Sequence, residues 1–182
     1  MRAGRTETPS PTPHGDVLTV SASIGYSGFA EWTSVWSGIA LVEVIDVGAI
    51  RWTTPTGQRP EEARLHSVPQ GHEGTPGIGR LVTARRISVL SGQWPPETEF
   101  ARYWRPGGRV GSDEMLVDIP LPPLAPGQQA LAFVLPQAGN VGGDGAIIVE
   151  AGWLFPIDDR GRVLTLDPNE NVTLENLPSF LP

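Results

Sequence analysis

Six side chains able to recognise a ligand crowd into a dozen residues of this chain: Trp94, Phe100, Arg102, Tyr103, Trp104 and Arg105. Exposed Trp and Tyr stack on sugar faces or anchor protein interfaces, and Arg forks onto carboxylates. The stretch runs hard against Pro95-Pro96 and Pro106-Gly107-Gly108. As a strand, it places Phe100, Arg102 and Trp104 on one face and Ala101 and Tyr103 on the other. Two readings follow. In one, Trp94, Arg102, Tyr103, Trp104 and Arg105 form a binding surface. In the other they are core and stacking residues, with Arg102 in a cation–π stack on Trp104.

Elsewhere the chemistry-bearing residues read as turn and loop residues. His66 and His72 lie near Glu73 and downstream of Glu61 and Glu62, a sound ligand set for zinc or iron. They fall in an irregular segment, whereas metal ligands need rigid support, so no metal and no cofactor is expected. Asp113-Glu114, Asp158-Asp159 and the group Asp167, Glu170 and Glu175 supply carboxylates for a glycosidase pair or a calcium site. A glycosidase needs two carboxyls facing each other across a cleft, and DPNEN lacks the spacing of an EF-hand. Turn chemistry and solubility account for these acids. GNVGGDG is rich in Gly, but no helix pattern follows it to hold a phosphate. With no G-x-S-x-G, no Cys and three His, no catalytic residue is assigned.

The elements that must position any site are short. Apolar runs such as IALVEV, RLVTARRISVL, MLVDI, QALAFVL, AIIVEAGWLF and RVLTL are cut by TPTGQRP, SGQWPP, RPGGRVG, PLPPLAPGQ and DDRG. Runs of that length between Pro/Gly turns are strands. Val35–Val47 reads as a central strand bent at Gly38, with Ile39 and Leu41 on one face and Val42 and Val44 on the other. Further strands are expected at Asp16–Ser23, Arg80–Leu90, Phe100–Trp104, Met115–Ile119 and Ala130–Leu135, the last buried on both faces. Ala146–Ile157 is expected to pair with Arg162–Leu166 across the turn Asp158–Gly161. Thr173–Leu177 makes one helical turn before Pro178. The longest irregular segment runs from about Thr54 to Gly79, a length usually functional or mobile.

At 182 residues the chain suits one domain, 16–182, behind a flexible Pro/Thr-rich tail, 1–15. Gly and Pro, at 22 and 19 residues, run at roughly twice average usage. Yet 39% of residues are hydrophobic and six are Trp, so the bias signals turn-rich β structure rather than disorder. The expected fold class is all-β, a single compact OB-like barrel, with a β-sandwich as alternative. The net charge of −7, with no basic cluster, lacks the electrostatic footprint of a nucleic-acid partner. All the basic residues are Arg. Without Cys there are no disulfides, and no apolar run reaches the roughly 18 residues of a transmembrane segment. MRAGRTETPSPTPHGD has no apolar signal core. Its Thr/Ser/Pro character is that of a stalk behind a cleaved signal or a lipid anchor, which would make Met1 something other than the native start. The expected location is extracytoplasmic.

In order, SGIALVEV, IRWTTPTGQRP, VTARRISVLSGQWPP, RPGG, APGQQALAFVL and GWLFPIDDRGRV resemble the pattern of exported bacterial OB-like β-barrel proteins of unassigned function. The resemblance spans roughly residues 35 to 177. It implies a barrel behind a signal peptide and a Pro/Thr spacer, and transfers no functional residue. The expected function is a non-enzymatic, extracytoplasmic binding or interaction module, with a protein or polysaccharide at the cell surface as partner. Two alternatives stay open: a hydrolase using paired carboxylates, and a structural cell-surface subunit that self-assembles. An acidic pair across a concave cleft would mark the first, an exposed unpaired edge the second.

Overall fold

The computed structural model describes residues 17–20, 28–34, 36, 38–54, 56–59, 77–94, 99–117, 122–134, 140–141, 147–149 and 153–182. The expected tail lies outside this set, as do Glu61, Glu62, His66, His72 and Glu73. In chain order the elements are β1 (Val17–Val20), α1 (Phe29–Ser34), β2 (Gly38–Val47), β3 (Arg51–Trp52), β4 (Ile78–Gly92), β5 (Phe100–Pro106) and β6 (Gly108–Val110). There follow β7 (Asp113–Val117), β8 (Gln129–Val134), β9 (Asn140–Val141), β10 (Ile147–Val149), β11 (Trp153–Pro156) and a closing 3-10 turn at Leu177–Ser179. The fold is all-β, as its turn-punctuated apolar runs require.

Eight strands form one sheet in the order β11-β8-β2-β4-β5-β10-β9, with β3 added beside β4. A smaller sheet holds β1-β7-β6. Among the described residues neither sheet closes on itself. β2 and β4 pair antiparallel from Gly38↔Gly92 to Val47↔Val82, with three irregular steps in register. Such bulges bend a strand pair and increase its twist. Ile45 and Ile87, skipped at two of these steps, are exposed.

Both faces of the large sheet are apolar where it is thickest. Ala40, Val42 and Val44 of β2 join Val82, Ala84, Ala101, Tyr103, Ala130 and Ala132 in one core. We call this the inner face. Ile39, Leu131, Phe133 and Phe155 point the other way, into a second core roofed by α1 and the C-terminal segment. That core is aromatic: the Phe133 ring lies edge-on to Phe155 at 5.3 Å and to Phe29 at 6.0 Å, a geometry that adds about 0.5–1.5 kcal/mol per pair. The expected two-sided burial of β2 and β8 is what the structure contains. A third cluster of Trp52 and Ile78, flanked by Ile50, Val110 and Met115, joins the small sheet to the end of β3 and β4.

Two local expectations need correction, and one element, α1, has no counterpart in the sequence reading. The residues after the first strand include a helix, α1, only six residues long. A helix so short is marginal alone; here the Phe29 N–H donates to Glu170 Oε1 at 2.6 Å, and Phe29 and Trp32 are buried. Ala146–Ile157 is not one strand: β10 pairs parallel with β5, and β11 pairs with β8. The turn at Asp158–Gly161 does form, with Gly161 at φ 76°, but beyond it Ile157↔Val163 is a single bridge rather than a hairpin ladder. The helical turn expected at Thr173–Leu177 forms, closed by the Leu177 N–H donating to the Thr173 carbonyl oxygen at 2.8 Å, and a 3-10 turn at Leu177–Ser179 follows it with Pro178 inside. Pro178, second in that turn, is tolerated because the N–H groups of a first turn have no intrahelical partner to lose.

Candidate functional site

Strand alternation on β5 divides the expected surface rather than assembling it. Tyr103 is 1% exposed and Trp94 6%, and both belong to the inner core. Burial pushes the Tyr103 hydroxyl far above the usual tyrosine range, and the hydroxyl has no hydrogen-bond partner among the described residues. Arg102 and Trp104 lie on the opposite, outer face beside Phe100, which is exposed. Arg105 returns to the inner side. Five residues placed on two faces and in the core cannot make one site.

On the outer face, charge is answered locally. The cation over the Trp104 ring is Arg51 of β3, 5.3 Å from the ring centroid, where the sequence reading places Arg102. Arg85 donates to Glu43 across β4 and β2. Such exposed pairs are each worth about 0–1 kcal/mol. This face works as a solvated wall with an aromatic patch.

The inner face behaves differently at its end. Register sets Arg80 of β4 directly opposite Arg105 of β5, in phase with the buried rows Val82–Ala84 and Ala101–Tyr103. Like charges in directly opposed positions destabilise a sheet. The Arg105 guanidinium is pulled down to about 10, first by burial and then by Arg80, and so stays charged at neutral pH. It donates to the Pro122 carbonyl oxygen, which ties the segment leading to β8 across the end of the sheet. Among the described residues no carboxylate pairs with Arg80 or Arg105.

The two arginines line an open cleft of about 560 Å³. Val47 and Ile50 supply one wall, and Met115, Leu116 and Val117 of β7 another. Pro123, Leu124, Gly107 and Gly108 complete the lining. These two glycines stand at φ 106° and 121°, where a side chain is strained. That backbone turns the chain from the large sheet into the small one, so RPGGRVG brings β7 over the end of β5. Glu114 also lines the cleft, with its Oε2 held at 2.8 Å by Arg109 Nη2.

Three other acids of the described residues have structural partners. Asp113 is buried against Arg59 at 2.8 Å, and lies in the strand beside Glu114, so the two point to opposite faces. Asp158 Oδ1 accepts the backbone N–H groups of Arg160 and Arg162, and Asp167 Oδ1 accepts that of Asn169. Among the described residues no three His, Asp or Glu side chains gather to hold a metal. No helix there is long and apolar enough to cross a membrane.

Arg80 is the residue that sequence reasoning missed. The signal was present in RLVTA and ARYWR: an Arg in phase with Val82 and Ala84, and another in phase with Ala101 and Tyr103. Each extends a row of small buried residues to the end of its strand. No protein family, curated protein or solved structure matches the chain.

Proposed function

We propose that this chain is a non-enzymatic binding module that works outside the cytoplasm. In this reading the Arg80–Arg105 cleft is presented to an anionic group on a protein or polysaccharide partner at the cell surface. The observation that carries it is the directly opposed arginine pair, half-buried in an open cleft, with no carboxylate of the described residues in salt-bridge contact with either. A fold that keeps two like charges together in this way gives up stability, and an anionic ligand would restore it. Asp113 and Glu114 are separated by strand alternation and each pairs with an arginine, and Asp158 and Asp167 accept backbone N–H groups, which favours binding over a carboxylate-pair hydrolase. Arg102 and Trp104 supply a second, flatter contact on the outer face.

The OB-like barrel belongs to the same proposal. Its support is the 15-residue β4, bent by bulges and in contact with β6 and β7 of the small sheet as well as with its own neighbours. A strand that serves two sheets is how small barrels turn their corners. Export is supported by the Thr/Ser/Pro-rich first fifteen residues and by the resemblance noted above.

Surface plasmon resonance on the immobilised chain tests the binding reading, with alginate and polyglutamate as anionic partners and dextran as the neutral control. Both anions should bind, dextran should not, and Arg80→Gln should weaken the response. Equal binding by the variant, or no binding of either anion, overturns the reading.

A further inference from the structure

We propose that the cleft between β4, β5 and β7 binds an apolar monocarboxylate, its carboxylate held between Arg80 and Arg105 and its apolar body laid along Val47, Ile50, Met115 and Leu124. The proposal rests on the binding reading above and narrows it to one ligand chemistry.

Three features of the cleft select that chemistry. Directly opposed strand positions hold their Cβ atoms about 4.5–5.5 Å apart, so side chains rooted at Arg80 and Arg105 can converge on one two-oxygen group. Guanidinium forks match carboxylate geometry and form strong, charge-assisted hydrogen bonds. Glu114 also lines the cleft, but its charge is already answered by Arg109, so the two arginines are the cations left for a ligand there. The aliphatic and thioether walls would stay wet around a bare inorganic anion, whereas an apolar body would cover them. The volume, about 560 Å³, lies in the range of roughly 300–1,000 Å³ seen for small-molecule sites. Arg105, loosened towards about 10 by burial and by Arg80, is the group a bound carboxylate would most relieve.

Two sources carry this chemistry: a free short-chain acid, and the carboxyl end of a peptide that finishes in an apolar residue. Isothermal titration calorimetry on the full chain separates them with four probes: octanoate, an acetylated tripeptide ending in Leu with a free carboxylate, the same peptide amidated, and inorganic phosphate. Octanoate or the free-carboxylate peptide should bind saturably, and the tighter of the two identifies the source. The amide should not bind. Arg80→Gln should weaken binding about tenfold or more, as loss of a charge-assisted bond does. Because Arg105 also holds the Pro122 carbonyl, Arg80→Gln carries the test, its fold checked by circular dichroism. If phosphate binds as tightly as the organic acids, or the amide binds as well as the free peptide, the monocarboxylate inference falls while the anionic-cleft reading stands. If no probe binds, the inference falls, and the alginate and polyglutamate experiment decides the broader reading. Binding that Arg80→Gln leaves unchanged places the ligand elsewhere and overturns both.

Discussion

The inner and outer faces of β4 and β5 are built from alternate residues of the same two strands, yet they treat arginine in opposite ways. Outside, Arg51 lies over Trp104 and Arg85 pairs with Glu43. Inside, Arg80 and Arg105 face each other at the end of a buried row, and a backbone carbonyl is the only neutral acceptor recorded for Arg105 among the described residues. An arginine whose charge is answered by its neighbours is part of the wall. One set against another arginine in a cleft is the group on which the proposed binding rests. The difference lies in register, since the residue types are the same.

The largest expected effect tests where the outer face stops being surface. Phe133 lies on that side of β8, but α1 covers it and it is 0% exposed. Phe133→Ala should cost about 3–5 kcal/mol, as large-to-small core changes do. A loss below about 1 kcal/mol in urea denaturation would mean that α1 does not roof this core.

Next comes a contrast between consecutive residues. Tyr103→Ala should cost about 3 kcal/mol, at the low end for a buried aromatic, because it also removes a hydroxyl with no partner among the described residues. Trp104→Ala, on the half-buried outer side, should cost about 1–2 kcal/mol, mostly lost packing with the Arg51 side chain. Paired denaturation curves check the ordering, and equal losses would erase the distinction between the faces. Tyr103→Phe sharpens the point: removing only the unpaired hydroxyl should leave stability unchanged or slightly raised.

The smallest effect has the opposite sign. Arg80→Gln should stabilise the ligand-free protein by a few tenths to about 1 kcal/mol, because it removes one of two directly opposed like charges. The same substitution should weaken anion binding. A variant that gains stability while losing ligand is the signature expected of a residue kept for function. If thermal denaturation shows it to be destabilised, the two arginines are not in conflict and the cleft loses its main argument.

The β class, strands overlapping Gly38–Val47, Ile78–Gly92 and Gln129–Val134, and the two faces of the first were legible in the sequence. Turn residues and period-two alternation are local properties, and they act the same way whatever the strand pairs with. That alternation also separated Tyr103 from Trp104 before any partner was known. Three things needed the folded chain. α1 exists because Glu170 caps it from far along the sequence and the rings of Phe133 and Phe155 receive it. Ala146–Ile157 splits because Trp153–Pro156 finds an apolar edge on β8. The Arg80–Arg105 pair exists because β4 and β5 take one register, from Gly79↔Pro106 to Arg85↔Phe100, out of several that the alternation permits. A one-residue slip would send one arginine to the opposite face. Residue types are encoded locally, but opposition across strands is a property of the tertiary structure.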